Sequence, residues 1–223
     1  MTARPIVFVV DADVSVRESL ELLIDRSGLQ PKTFASATEF LAQSRVPAPS
    51  CMVLDVALPG LSGLHLQKLV ADRTDMPIIF LTGHGDVAMT VQAMKAGAVE
   101  FLTKPFRPDV LISAIRDALE RSREALAREA AMKPLRESYA SLSRREREVM
   151  ALVVSGLPNK QVGGELGISE ITVKAHRGQV MRKMQADSLA ALVKMGARLD
   201  LPAARPWEPV RPVAVAAYGQ LSP

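Results

Sequence analysis

The chain has 223 residues, 48% of them hydrophobic, which allows one large or two ordinary domains with real cores. Its single cysteine, Cys51, lies in an apolar run as a small core residue and excludes an internal disulfide, and no uncharged apolar run approaches the ~18 residues of a membrane span. Residues 1–120 hold 11 Lys+Arg against 14 Asp+Glu and residues 121–223 hold 17 against 10, so the first half is acidic and the second seeks a polyanion.

In chain order, the first half reads as five β/α units. Apolar runs predict strands at 6–10, 51–54, 78–81 and 99–103, with a fifth at 30–34 where the signal is thinnest. Helices are predicted over 14–27, 37–43, 64–72, 86–96 and from Pro108 to about 129. Pro108 suits a first helical turn, and Ile112, Ile115 and Leu119 mark the buried face. The Arg-, Glu- and Ala-rich stretch 121–137 extends this helix outward as a connector until Pro134 stops it. Alternating strands and helices imply a parallel sheet, and open sheets of this kind bind ligands outside the carboxyl ends of their strands. At those ends stand Asp11, Asp55, Thr82 and Lys104. Two carboxylates, a hydroxyl and an ammonium suit a divalent metal and a phosphoryl group. His65 and His84 lack metal-ligand spacing to a second histidine, and Met89 and Met94 read as core fillers.

The second half is helical. Ser143 and Glu146 form a capping box for a helix that Gly156 closes. A second helix begins at Asn159 and turns at Gly167, and Ser169 caps a third that runs to about Met184. On the third, Val173, Val180 and Met184 share a buried face, leaving Lys174, Arg177, Arg182 and Lys183 for the outer surfaces. A basic helix after a capped turn predicts a recognition helix for the major groove. Gly163 and Gly164 lie inside the second helix at ~1 kcal/mol each relative to alanine, and Gly163 is expected to permit closer helix contact. Leu189, Leu192, Val193 and Gly196 line one face of a fourth helix, able to pair two copies of the domain. After Leu201, five prolines and small residues around Trp207 predict a disordered tail.

Three motifs of the first half, D-V-A-L-P-G-L-S-G from Asp55, T-G-H-G-D from Thr82 and F-L-T-K-P-F around Lys104, resemble a CheY-like receiver domain. The likeness covers residues 5 to about 125 and is greatest to the FixJ subgroup of the NarL/FixJ family of two-component response regulators. It implies an α/β fold with a doubly wound five-stranded parallel sheet. In that family the aspartate matching Asp55 accepts a phosphoryl group from a sensor histidine kinase. By the same resemblance Lys104 pairs with the phosphoryl oxygens, Thr82 donates its hydroxyl, and Phe101 is an aromatic switch that turns inward once the threonine moves. Magnesium would be held by Asp11, Asp55 and the backbone carbonyl of Ala57, and the dimer surface would include Val91 and Lys95. The chain departs from the family at Ala12, where a second acidic residue ligates the metal, so magnesium is expected to bind weakly.

The stretch L-S-R-R-E-R-E-V-M-A-L-V-V-S-G-L-P-N-K-Q-V-G-G-E-L-G-I-S-E-I-T-V-K-A-H resembles a LuxR-type helix-turn-helix. By that resemblance Lys174, Ala175 and Gly178 occupy base-facing positions, while Lys160, Thr172 and His176 lie near phosphates. Ala175 and Gly178 carry little that reads a base edge. Direct readout therefore falls to Lys174, helped by Gln179, with Arg177 and Arg182 on the basic surface and DNA shape adding specificity. The expected organisation is a receiver over 1–122, a helical linker over 123–139, a smaller all-α four-helix domain over 140–201 and a disordered tail over 202–223.

The implied protein is not an enzyme but a cytoplasmic DNA-binding response regulator with no membrane contact. Its expected partners are a sensor histidine kinase, promoter duplex DNA, RNA polymerase and, when active, a second copy of itself. Ala12 keeps open a pseudo-receiver that acts without phosphorylation. D-A-D-V-S after the first strand also resembles haloacid-dehalogenase-type phosphatases, with Asp11 as nucleophile and Asp13 as general acid, but this leaves Asp55 and the basic half without a role.

Overall fold

A computed structural model describes residues 4–83 and 87–201. The predicted tail with Trp207, and His84 and Asp86, lie outside the described residues. The chain divides into two compact units between Ala131 and Met132.

The first unit alternates β1 (Ile6–Val10), α1 (Val14–Arg26), β2 (Gln30–Phe34), α2 (Ala37–Leu41), β3 (Ser50–Asp55), α3 (Gly63–Leu69), β4 (Ile78–Thr82), α4 (Val87–Lys95), β5 (Glu100–Thr103) and the start of α5 (Pro108–Ala140). All strand pairs are parallel, in the order β2-β1-β3-β4-β5. Strand order reverses between β1 and β3, and at such a switch point the loops after the two strands part to leave a crevice. Val10 pairs with Leu54, so Asp11 and Asp55 leave adjacent strands at the same level.

Side chains alternate across the sheet. Phe8, Met52, Leu54 and Phe80 enter one core with Phe40 and Leu66, while Val7, Val9, Val53 and Ile79 enter the other with Ile24, Leu111 and Ile115. Because β1, β3 and β4 are buried on both faces, their sequences are continuous apolar runs. Edge strand β2, Q-P-K-T-F, is mostly half-buried, which explains its thin signal. Cys51 is fully buried, and burial pushes its thiol pKa far above the ordinary value.

Pro134 does not stop the long helix as predicted, for α5 runs through it to Ala140. The proline removes one N–H donor. Leu135, packed with Met132 and Tyr139 in the core of the second unit, holds the following turns in helical register. Nearer its start α5 is fastened by Ser122, whose buried hydroxyl accepts from the Ser50 amide at 2.9 Å and donates to the Asp75 carbonyl at 2.5 Å.

In the second unit the described residues after α5 form α6 (Arg144–Val154), α7 (Asn159–Leu166), α8 (Glu170–Lys183) and α9 (Leu189–Arg198). The capping box is present: Ser143 Oγ accepts from the Glu146 amide, and Glu146 Oε2 accepts from the Ser143 amide at 2.6 Å. Gly167 ends α7 at φ +64°, and Ser169 Oγ caps α8 by accepting from the Thr172 amide. Val173, Val180 and Met184 are buried with Val149, Met150, Val162 and Leu192.

Two expectations are corrected. A Cβ at Gly163 would lie 2.7 Å from the Ile168 carbonyl oxygen, so this glycine admits the backbone of the helix-turn-helix turn and not another helix. The helix contact belongs to Gly196, where a Cβ would meet the Val154 side chain at 3.2 Å. On α9 only Leu192 and Gly196 are buried, while Leu189 and Val193 remain exposed, so the predicted single face is split.

Candidate functional site

The strand ends of the first unit converge on a cavity of about 430 Å³ lined by Asp11, Ala12, Asp55, Ala57, Thr82 and Lys104 among others. Lys104 Nζ lies 2.6 Å from Asp11 Oδ2 and 3.2 Å from Asp55 Oδ2. The other oxygen of each carboxylate accepts a backbone amide, Asp13 N for Asp11 at 2.9 Å and Ala57 N for Asp55 at 3.1 Å. Both aspartates are buried, at 2% and 9% exposure, and two carboxylates against one ammonium leave a negative charge in excess. Partial burial opposes the charge on Lys104, but its hydrogen bond to Asp11 and the charges of Asp11 and Asp55 outweigh this and raise its pKa above the ordinary lysine value.

Local structure accounts for each placement. Thr82 is buried at the end of β4, where its carbonyl accepts the Lys104 amide at 2.7 Å. Phe101 on β5 is half-buried, its ring centroid 6.0 Å from that of Phe80. Asp13 caps α1 through Oδ1, which accepts from the Ser15 and Val16 amides. That carboxylate serves the helix, not the general-acid role the phosphatase reading requires. Among the described residues no group of three His, Cys, Asp or Glu is placed to hold a metal. Asp11, Asp55 and the Ala57 carbonyl still fit magnesium, because that ion takes one or two carboxylates, keeps several waters and completes its shell with phosphate oxygens. Ala12 offers no side-chain oxygen to it.

Two residues of this site escaped the sequence reading. A Cβ at Gly63 would sit 2.2 Å from the Asp55 carbonyl oxygen, so only glycine lets α3 start against the end of β3. The spacing L-P-G-L-S-G was the available signal. Arg17 Nη1 donates to the carbonyls of Asp11 at 2.7 Å and Ala12 at 2.9 Å, fixing the loop after β1. An arginine one turn into a helix carries no pattern that reveals this.

On α4, Val87, Val91 and Met94 are 79%, 45% and 43% exposed and share one stripe by their i, i+4, i+7 spacing, with Lys95 exposed beside them. Met94 is therefore not the core filler expected, whereas Met89 is partly buried against the core and borders the cavity. His65 is exposed on α3.

In the second unit, Lys174, Ala175, Gly178, Gln179 and Arg182 are exposed on α8, and Lys160 is exposed on α7. Thr172, His176 and Arg177 are half-buried. Lys174 pairs with Glu170 one turn earlier at 3.3 Å, Arg177 donates to Asn159 Oδ1 at 3.2 Å, and Arg182 donates to Gln179 Oε1. Lys183, expected on the outer surface, turns inward to Glu146 Oε2 at 2.7 Å and joins the capping box. The Lys183 hydrogen bond, followed by the Ser143 backbone amide, holds the Glu146 carboxyl below the usual carboxylate range.

Comparison with known proteins covers both units. Residues 7–116 match the family described as response regulator receiver domain, and residues 140–196 match bacterial regulatory proteins of the luxR family. The chain is 49% identical over 203 residues to nodulation protein W of Bradyrhizobium diazoefficiens, covering 91% of this chain and 89% of that protein. It is 41% identical over 202 residues to the transcriptional regulatory protein FixJ of the same organism, covering 90% and 98%. The solved structure of the response regulator StyR superposes with a TM-score of 0.69 at 45% identity, covering 88% of this chain and all of that one. With a receiver whose strand ends gather two carboxylates and a lysine, and a helix-turn-helix after it, the chain belongs to the DNA-binding response regulators of the FixJ type.

Proposed function

We propose that Asp55 is the phosphoryl acceptor of this response regulator and that a sensor histidine kinase is the donor. The observation that carries the proposal is the placement of Asp55 between a backbone amide and the Lys104 ammonium, with Asp11 and Thr82 at the same cavity. An Asp55 oxygen attacks the phosphorus of a phosphohistidine, forming an O–P bond as the N–P bond breaks, and the imidazole leaves. Lys104 offsets the charge of the incoming group, and the Thr82 hydroxyl meets one phosphoryl oxygen. Magnesium held by Asp11, Asp55 and the Ala57 carbonyl would supply further charge compensation on the phosphoryl oxygens, weakly for want of a side-chain ligand at Ala12. Thr82 then leaves space for Phe101 to turn inward beside α4.

The apolar stripe of α4, with Val91 and Lys95, is the proposed dimer face. Receiver 1–122, linker 123–139 and DNA-binding domain 140–201 act in sequence, in the cytoplasm, on promoter DNA and RNA polymerase. Lys174 reads bases with help from Gln179 beside Ala175 and Gly178, Lys160, Thr172 and His176 meet the phosphates, and Arg177 and Arg182 complete the DNA-binding surface. Ala12 favours a second reading, a pseudo-receiver that acts without phosphorylation, in which Lys104 already offsets part of the charge of the site.

Intact-mass measurement after incubation with acetyl phosphate and magnesium separates the two. One added phosphoryl group, absent in Asp55→Ala and gained faster in Ala12→Asp, is expected. A label that survives Asp55→Ala rejects the acceptor, and no label in either the native chain or Ala12→Asp favours the pseudo-receiver.

A further inference from the structure

Ile171, in the first turn of α8, is 80% exposed, whereas Val173 and Val180 on the same helix are 0% and 1% exposed. Ile171 therefore serves no core contact. It lies three, four and seven residues before Lys174, Ala175 and Gly178, and residues at these spacings are neighbours on one helix surface. All four are exposed. Ala175 and Gly178 have no hydrogen-bonding side chain, and a Cβ at Gly178 would meet nothing within 4 Å. The result is a low, apolar strip beside one ammonium group. Of the groups that base pairs present in the major groove, the thymine C5-methyl is the one alkyl group.

We propose that Ile171 is a specificity-determining residue that packs against the C5-methyl group of a thymine in the major groove. This rests on α8 being the recognition helix. Ala175 and Gly178 keep the helix surface low enough for the base edge to approach, and Lys174 reaches an acceptor on a neighbouring base pair. The surrounding charge favours duplex DNA over a protein partner. Ile171 is flanked by Glu170, Thr172 and Lys174, with Lys160 and Arg182 exposed on the same unit, so a single methyl fits where a broad apolar face does not.

The test uses the full chain and a duplex that it selects from a random-sequence pool, prepared with thymine and then with deoxyuridine at each thymine position in turn. Uracil lacks only the methyl group. The native chain is expected to lose about fourfold in affinity at one thymine position of each half-site, the worth of one buried methyl. Ile171→Ala should bind both versions equally at that position and keep its response to salt, and because Ile171 is exposed its melting temperature should stay native. A native chain indifferent to uracil everywhere, or an Ile171→Ala chain that keeps the full penalty, overturns the role of Ile171 while leaving the recognition helix in place. A pool that yields no salt-sensitive binding overturns the DNA reading and this inference together.

Discussion

With Lys104 Nζ within 3.2 Å of two buried carboxylates, the charge balance of the receiver crevice hangs on one side chain. Lys104→Met leaves both carboxylates without a cation, and an expected loss of about 1–3 kcal/mol follows from the unpaired charges. Magnesium should raise the denaturation midpoint of this variant more than that of the native chain, because it offsets the same charges. The pH dependence has a definite sign. A lysine whose folded pKa is raised contributes stability that is fully present below the ordinary value of 10.5 and lost as pH rises through the raised one. The native-minus-variant difference in urea denaturation should therefore be flat between about pH 6 and 9 and shrink only in strong alkali. A difference that fades near neutrality would contradict the geometry. Asp55, Thr82 and Lys104 were legible in the sequence because a strand end is where a parallel sheet presents chemistry. Gly63 and Arg17 were not, since one acts through a missing Cβ and the other through backbone carbonyls. Ile171 was missed for a third reason: an aliphatic residue in an amphipathic helix reads as core until its exposure is known.

Among the elements, buried strands and capped helices were read well because each leaves a local mark. Helix α5 was not, since what carries it through Pro134 is packing around Leu135, remote from the composition of the linker. The Ser143 cap of α6 shows how an element can be tied to a partner that periodicity cannot name. Its Glu146 is held by Lys183, which the sequence pattern assigned to the outside of α8. A carboxyl whose folded pKa is depressed contributes stability that is present above the ordinary value of 4.5 and lost as pH falls through the depressed one. In Lys183→Met the largest single cause of that depression is gone. Acid unfolding of the second unit, followed by circular dichroism on the full chain, should then begin at a higher pH than in the native protein. The same midpoint in both would mean that the pair does not survive in solution.

For the molecule as a whole, the proposed output is a change of valence. Two chains joined through the α4 stripe would place two recognition helices on two half-sites, and the second attachment becomes intramolecular. Moving a switch from 1:99 to 99:1 requires about 5.5 kcal/mol of preference for the active state. With Ala12 at the proposed metal site the shift should fall short, so sedimentation is expected to find appreciable dimer in the unmodified protein and more after acetyl phosphate. Val91→Asp should return both samples to monomer. A strictly monomeric unmodified chain that becomes wholly dimeric on phosphorylation would show that Ala12 is harmless, and a dimer untouched by Val91→Asp would place the contact on another face.

The burial of Cys51 bears on how such a dimer can be observed. Thiolates, not thiols, react with maleimides and spin labels, and the single thiol of this chain is enclosed in the sheet with its ionisation suppressed. An introduced cysteine at an exposed position away from the α4 stripe and from α8, such as Leu22 on α1, would therefore be the one reactive thiol of an otherwise native chain. Spectroscopic rulers between paired copies need no background mutation, and the core that a replacement at Cys51 would disturb stays intact.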